Sequence, residues 1–178
     1  RMMQVKPSIF LYLLCFLLFS QHKGVASPVN YNFKQISLAE GLSHANVTSI
    51  VKDDKGRLWI GTTSGLNMLD QRIFTNYLHE KGNPDSLPSN HILFVMEDEE
   101  QRIWVSTTKG LVYYDGDCDS FTLFSGDPFY SYLLISEGIL FSGDNQLIRY
   151  HYAGDNYAVI PVNASVESPK REQFKIFR

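Results

Sequence analysis

The sequence predicts an all-β fold: an incomplete β-propeller of four-stranded antiparallel blades, about three of them plus the start of a fourth. Three observations carry this expectation. The segment Leu42 to Asp70 realigns without a gap on Leu87 to Asp115, 45 residues later. A weaker third copy follows 36 residues further on. Each copy breaks into short β-rich runs separated by turn residues, and a period in the forties built this way marks a stacked array.

The opening 26 residues stand apart from that pattern. Lys6 supplies a positive start, Ile9 to Phe19 is an unbroken apolar run of 11, and small residues follow at Gly24 and Ala26. This is the layout of a secretory signal peptide, against the alternative of an uncleaved anchor, and the run is shorter than the roughly 20 residues a bilayer span requires. Cleavage after Ala26 leaves residues 27–178 as the mature chain. The leader holds Arg1, Lys6 and Lys23 but no acid, so the mature chain carries 13 basic and 19 acidic side chains, a net charge of −6. That balance disfavours phosphate backbones and anionic lipid as partners. Only Cys118 survives cleavage, so an internal disulfide is excluded.

Within the mature chain the copies span about 37–77, 78–124 and 125–160, with 161–178 opening a further blade. In the first copy, Val47 to Lys52 reads as a buried strand because it is rich in β-branched residues. Asp53 to Gly56 is a turn in which Asp accepts backbone N–H groups and Gly takes a positive φ. Leu58 to Thr62 is the second strand, Ser64-Gly65 the next turn, Leu66 to Leu69 the third strand and Ile73 to Tyr77 the fourth. The second copy repeats this with Ile92 to Glu97, Ile103 to Thr107, Leu111 to Tyr114 and Phe121 to Phe124. In the third, Ile139 to Gly143 matches the second strand with Leu140 in the Trp position, Leu147 falls on Leu111, and Tyr157 to Ile160 matches the fourth strand. Phe33 to Ile36 reads as a fourth strand whose first three are elsewhere.

The recurring positions are packing anchors: Trp59 falls on Trp104, Gly65 on Gly110 and Leu66 on Leu111. Asp53, Arg57, Thr62, Thr63 and Asp70 also recur, at Asp98, Arg102, Thr107, Thr108 and Asp115. A lone four-stranded sheet cannot bury both its faces, so each needs a neighbour. Burying each indole contributes roughly 3 kcal/mol. A fragment with an open flank and unpaired edges is expected not to fold stably alone.

These residues resemble the two-component regulator propeller repeat, which forms the exported sensor region of Bacteroidetes hybrid two-component systems. The likeness covers about Phe33 to Ile160. It is strong in the first copy, good in the second, where Gly61 becomes Ser106 and Gly56 becomes Gln101, and weak in the third. The resemblance implies a periplasmic domain that responds to glycan-derived oligosaccharides and is membrane-anchored through a downstream segment. It also implies a homodimer when full-length, with a histidine kinase further along the parent chain. The kinase residues map to no position here.

Chemistry within the chain is sparse. His44, His79, His91 and His151 form no metal-ligand spacing, and no nucleophile elbow or phosphate-binding loop is present. No cofactor and no catalytic residue is expected. The acidic run Glu97 to Glu100 coincides with the turn of the first copy and reads as a hairpin tip. Asn46-Val-Thr48 and Asn163-Ala-Ser165 match a glycosylation pattern that carries little weight in a bacterial chain. A binding function would reside in the connections between copies, because a rigid scaffold presents its variable loops. Aromatic faces, amides and imidazoles suit sugars, which makes His44, Asn90, His91, Phe129 and Tyr130 the ligand-binding candidates, against the alternative of loop packing. Two other functions compete: an exported propeller lyase or glycan hydrolase using Glu40, Asp85 or Asp127, and a non-catalytic interaction scaffold.

Overall fold

The computed structural model describes residues 32–144 and 146–161, with the backbone of 174–176. The expected leader, the Asn163-Ala-Ser165 pattern and most of 161–178 lie outside the described residues. Residues 36–178 make one unit. Within it, a first sheet runs β1 (Val47–Lys52), β2 (Leu58–Thr62), β3 (Gly65–Asp70) and β4 (Ile73–Tyr77) as an antiparallel meander. A second repeats it with β5 (Ile92–Glu97), β6 (Ile103–Thr107), β7 (Gly110–Asp115) and β8 (Ser120–Ser125). The third contains β9 (Ser131–Ile135), β10 (Gly138–Ser142), β11 (Gln146–His151) and β12 (Asn156–Pro161). The segment expected to open a further blade contributes a short strand, β13 (Phe174–Ile176), which pairs antiparallel with β12 and makes that sheet five-stranded.

The repeat is reproduced down to its irregularities. The β1–β2 register shifts between Val47 and Ser49, and the β5–β6 register shifts at the equivalent Ile92 and Phe94. Trp59 pairs with Met68 and Trp104 with Tyr113, one position after the start of the ladder in each case. In the third sheet Leu140 pairs with Arg149 at the Trp position. The turn residue Gly56 has φ +84°, and Gln101, which replaces it in the second copy, takes φ +63°. The backbone demand thus outlasts the glycine that meets it most cheaply.

Two hydrophobic layers join the sheets face to face. Trp59, Leu66 and Leu87 pack with Val95, Ile103, Val105, Val112, Tyr114 and Phe121 between the first and second sheets. Met96, Trp104, Leu111 and Phe124 pack with Phe129, Ile139, Phe141, Ile148 and Tyr150 between the second and third. The second sheet is therefore covered on both sides, and every residue of its strand β6 is buried. Among the described residues the array is open, with no sheet closing it.

Two expectations need correction. Val47–Lys52 is mostly exposed rather than buried, with Ile50 at 60%. It is an edge strand of the first sheet, and apolar content alone does not supply a covering layer. Phe33–Ile36 forms no strand, and Phe33 is 91% exposed. A strand exists only through a ladder with a neighbour, which sequence pattern alone does not guarantee.

Candidate functional site

The residues that recur between copies build a polar clasp at one end of each sheet. Asp53 opens the β1–β2 turn, and its Oδ1 accepts the Arg57 backbone N–H at 2.7 Å. Its Oδ2 accepts from Arg57 Nε at 2.7 Å and from the indole Nε1 of Trp59 at 2.9 Å. In the second sheet Asp98 accepts from Arg102 N and Nε and from Trp104 Nε1, at 2.9, 3.0 and 2.7 Å. Both aspartates are almost fully buried. Each guanidinium also lies over its indole, with Arg57 5.3 Å from the Trp59 ring centre and Arg102 5.7 Å from that of Trp104. The Asp-x3-Arg-x-Trp recurrence was visible in the sequence, but the aspartate's role there reads only as turn chemistry.

The clasp of one sheet is completed by the next. The Trp59 ring meets Tyr114 edge-on at 4.9 Å, and Trp104 meets the equivalent Tyr150 at 5.3 Å. Tyr114 and Tyr77 both donate to Asp119 Oδ1 at 2.7 Å. Tyr150 donates to the equivalent Asp155, which also accepts from Arg102 Nη1 at 3.2 Å. Glu97 accepts the Asp54 N–H through both carboxylate oxygens at 3.0 Å. Burial, then the hydrogen bonds to Tyr114 and Asp119, hold the Tyr77 phenol well above its usual range.

Burial pushes the Asp53 carboxyl up, but the bonds from Trp59 and Arg57 and the Arg57 charge more than offset it, leaving a net depression. Hydrogen bonds from Tyr77 and Tyr114 depress Asp119. A carboxyl whose folded pKa lies below its unfolded value contributes stability above the unfolded pKa and loses it as pH falls through the folded one. The urea midpoint of the complete protein is therefore expected to be flat from pH 7 to about 5. It should fall progressively below about pH 4, where carboxylates of ordinary affinity protonate. An unchanged midpoint at pH 3 would contradict this assignment.

The opposite end of the sheets carries the ligand candidates. His44 Nδ1 accepts the Asn46 N–H at 3.0 Å and lies 2.9 Å from the Thr63 hydroxyl. Because Nδ1 accepts, the neutral ring carries its proton on Nε2. Ser89 and Ser125 occupy the equivalent place, accepting from His91 N and Asp127 N, both at 3.2 Å. Asn90 Oδ1 accepts the His79 N–H at 2.6 Å, and the Asn90 carbonyl accepts from Gly65 N at 2.7 Å. This ties the connection between the first two sheets to the β2–β3 turn. The exposed His91 lends its carbonyl to Thr108 N at 3.1 Å. Gly65 and Gly110 sit at this end with φ +127° and +146°.

The adjacent aromatics separate. Phe129 is fully buried in the second apolar layer, so its ring is withdrawn from any surface ligand, whereas Tyr130 is 53% exposed. Ser106, the replacement for Gly61, donates to the Phe129 carbonyl at 2.6 Å and accepts its N–H at 3.3 Å. Tyr130 donates its N–H to Ser142 O at 2.9 Å and its hydroxyl to Asp144 Oδ2 at 3.2 Å. Gln146 Nε2 donates to Asp127 Oδ2 at 3.0 Å.

The acids weighed for catalysis are each held within a different connection. Glu40 caps a 3₁₀ turn (Leu38–Glu40) by accepting from Ser37 N at 2.8 Å. The Asp85 carbonyl accepts from Phe121 N at 2.8 Å, and Asp127 engages Gln146. Among the described residues no group of three His, Cys, Asp or Glu side chains is placed to hold a metal ion. A cleft of about 280 Å³ opens at the clasp end, lined by Lys55, Arg57, Arg102, Tyr113, Asp115 and Asp117 among others. It contains none of the sequence-selected candidates.

Comparison with known proteins agrees with this geometry. A family model described as two component regulator propeller matches residues 41–64 and 86–109. Histidine kinase P4 of Formosa agariphila is 38% identical over 64 residues, which is 36% of this chain and 4% of that protein. The extracellular domain of a hybrid two component system from B. thetaiotaomicron shares the fold, with TM-score 0.54 and 20% identity over 82% of this chain and 26% of that one. The extracellular domain of a one component system from the same organism gives TM-score 0.51 at 20% identity, over 79% of this chain and 20% of that one. The chain thus spans about a quarter or less of each of these proteins.

Proposed function

We propose that the chain, whose residues 41–64 and 86–109 match the two component regulator propeller model, is the ligand-sensing part of an exported hybrid two-component sensor. In this reading it lies in the periplasm behind a cleavable leader. It responds to glycan-derived oligosaccharides and regulates a histidine kinase in the same polypeptide. The complete protein is membrane-anchored and works as a homodimer, and the residues described above perform no catalysis. The observation that carries the reading is the repeat itself, twice matched and built as stacked, clasped sheets. The likeness of a 64-residue stretch to a histidine kinase supports it.

The mechanism is a population shift. A ligand moves the sensor between two arrangements only to the extent that it binds one better than the other. A tenfold change in output needs a differential affinity of about 1.4 kcal/mol. The test is phosphate incorporation from labelled ATP into the complete natural protein in vesicles, with and without oligosaccharide digests of plant and host glycans. A severalfold change with one digest is the expected result. A complete protein that takes up no phosphate overturns the reading.

A further inference from the structure

The edge of the third sheet carries an arrangement that the repeat does not account for. Tyr130 presents its ring to solvent, at 53% exposure, while the residue before it is wholly buried. That pairing fixes the ring's outlook: Phe129 anchors the connection in the apolar layer, Ser106 grips the Phe129 backbone from both sides, and Ser142 O receives the Tyr130 N–H. The Tyr130 hydroxyl is committed to Asp144 Oδ2. Beside it, Asp127 Oδ2 is bridged by the Gln146 amide.

Each carboxylate keeps acceptor capacity beyond the bond described, and the Gln146 amide has a carbonyl oxygen that its bond to Asp127 does not use. An exposed aromatic face whose orientation is already set loses little entropy on binding. With oriented acceptors at its margin, such a face matches the C–H surface and hydroxyl rim of a pyranose ring. Sugar hydroxyls donate, and carboxylates are pure acceptors.

We propose that Tyr130, Asp127, Asp144 and Gln146 form a stacking subsite for an uncharged sugar ring, selecting neutral over sulfated or uronic-acid oligosaccharides. The selectivity follows from charge. The two carboxylates accept from hydroxyls but repel a sulfate or a second carboxylate brought against them. This inference rests on the sensing reading above, and it assigns both a place and a ligand class within it.

The experiment is calorimetric titration of the complete natural protein with two panels: neutral hexaoligosaccharides of glucose, mannose and xylose, and chondroitin sulfate and polygalacturonate hexasaccharides. The wild type is expected to bind a member of the neutral panel and to bind the anionic panel at least about tenfold more weakly. Tyr130→Ala should lower the neutral affinity by about tenfold or more, as for a central aromatic contact. Tyr130→Phe should stay within about threefold, because the face is kept and one solvent-exposed bond is lost. Asp144→Asn should narrow the gap between the two panels. Circular dichroism of each variant separates lost binding from lost folding. Neutral binding unaffected by Tyr130→Ala in a folded variant overturns the subsite and leaves the sensing reading standing. Tighter binding of the anionic panel overturns the selectivity. Absence of binding to either panel by the wild type overturns both.

Discussion

Replacing Asp98 with alanine is expected to destabilise the protein by about 3 to 5 kcal/mol, read as a shift in the urea midpoint at pH 7. The carboxylate is 5% exposed and accepts four hydrogen bonds. Two come from the backbone of its own turn, Glu100 N and Arg102 N, at 2.9 Å. The others come from Arg102 Nε and the Trp104 indole, whose residue is fully buried. Removal leaves a half-buried guanidinium without its innermost partner and an indole N–H with no acceptor. The second loss alone costs about 1 to 3 kcal/mol. Asp98→Asn keeps the shape and one good acceptor, so a smaller loss of about 1 to 3 kcal/mol is expected. A double-mutant cycle with Trp104→Phe isolates the indole bond, and coupling below about 0.5 kcal/mol would show that the clasp is not cooperative. An alanine variant within about 1 kcal/mol of wild type would sink the argument.

Glycine substitutions are expected to rank by what a methyl group would meet. Gly138→Ala should be the most damaging, at about 3 kcal/mol or more, because its Cβ would lie 1.8 Å from the Tyr150 carbonyl oxygen. The obstacle is backbone in the paired strand, where Gly138 faces His151, so relief requires parting β10 from β11. Gly56→Ala meets nothing within 4 Å but must hold φ +84°. It should cost only the left-handed penalty of about 1 to 2 kcal/mol. Gly126→Ala meets nothing within 4 Å at an ordinary φ and should fall within about 0.5 kcal/mol of wild type. Thermal denaturation of the three variants checks the order, and a Gly138 variant as stable as the Gly126 variant would refute the steric account.

How much was legible depended on whether a feature repeats. Trp59 and Trp104, their strands and the intervening turns stand out because two copies testify to one another, and Leu140 takes the Trp place in the third ladder as the spacing predicts. The clasp was half legible. Asp, Arg and Trp recur at fixed spacing, yet only coordinates reveal that one carboxylate binds the other two side chains. The sorting of Phe129 from Tyr130 could not be read at all. Alternation decides which neighbour turns inward only once a strand's start is known, and both residues precede β9. Phe33–Ile36 shows the same limit from the other side, since a tetrapeptide with apolar ends, Phe-Lys-Gln-Ile, does not announce whether a ladder awaits it. Connections follow no period, so the candidates on them rested on chemistry alone.

The clasp has a directional consequence for how this array can diverge. The third unit carries Ile135, Gly138 and Leu140 where the second has Asp98, Arg102 and Trp104. Its junction with the second is nonetheless complete, because Tyr150 and Asp155 answer the earlier unit's trio. Each joint is thus a lock supplied by one unit and a keeper supplied by its successor. A unit that loses its lock keeps its hold on the predecessor and alters only its grip on whatever comes after. Loss of a lock in such a chain weakens the joint ahead of it, and loss of a keeper, such as Tyr114 or Asp119, weakens the joint behind.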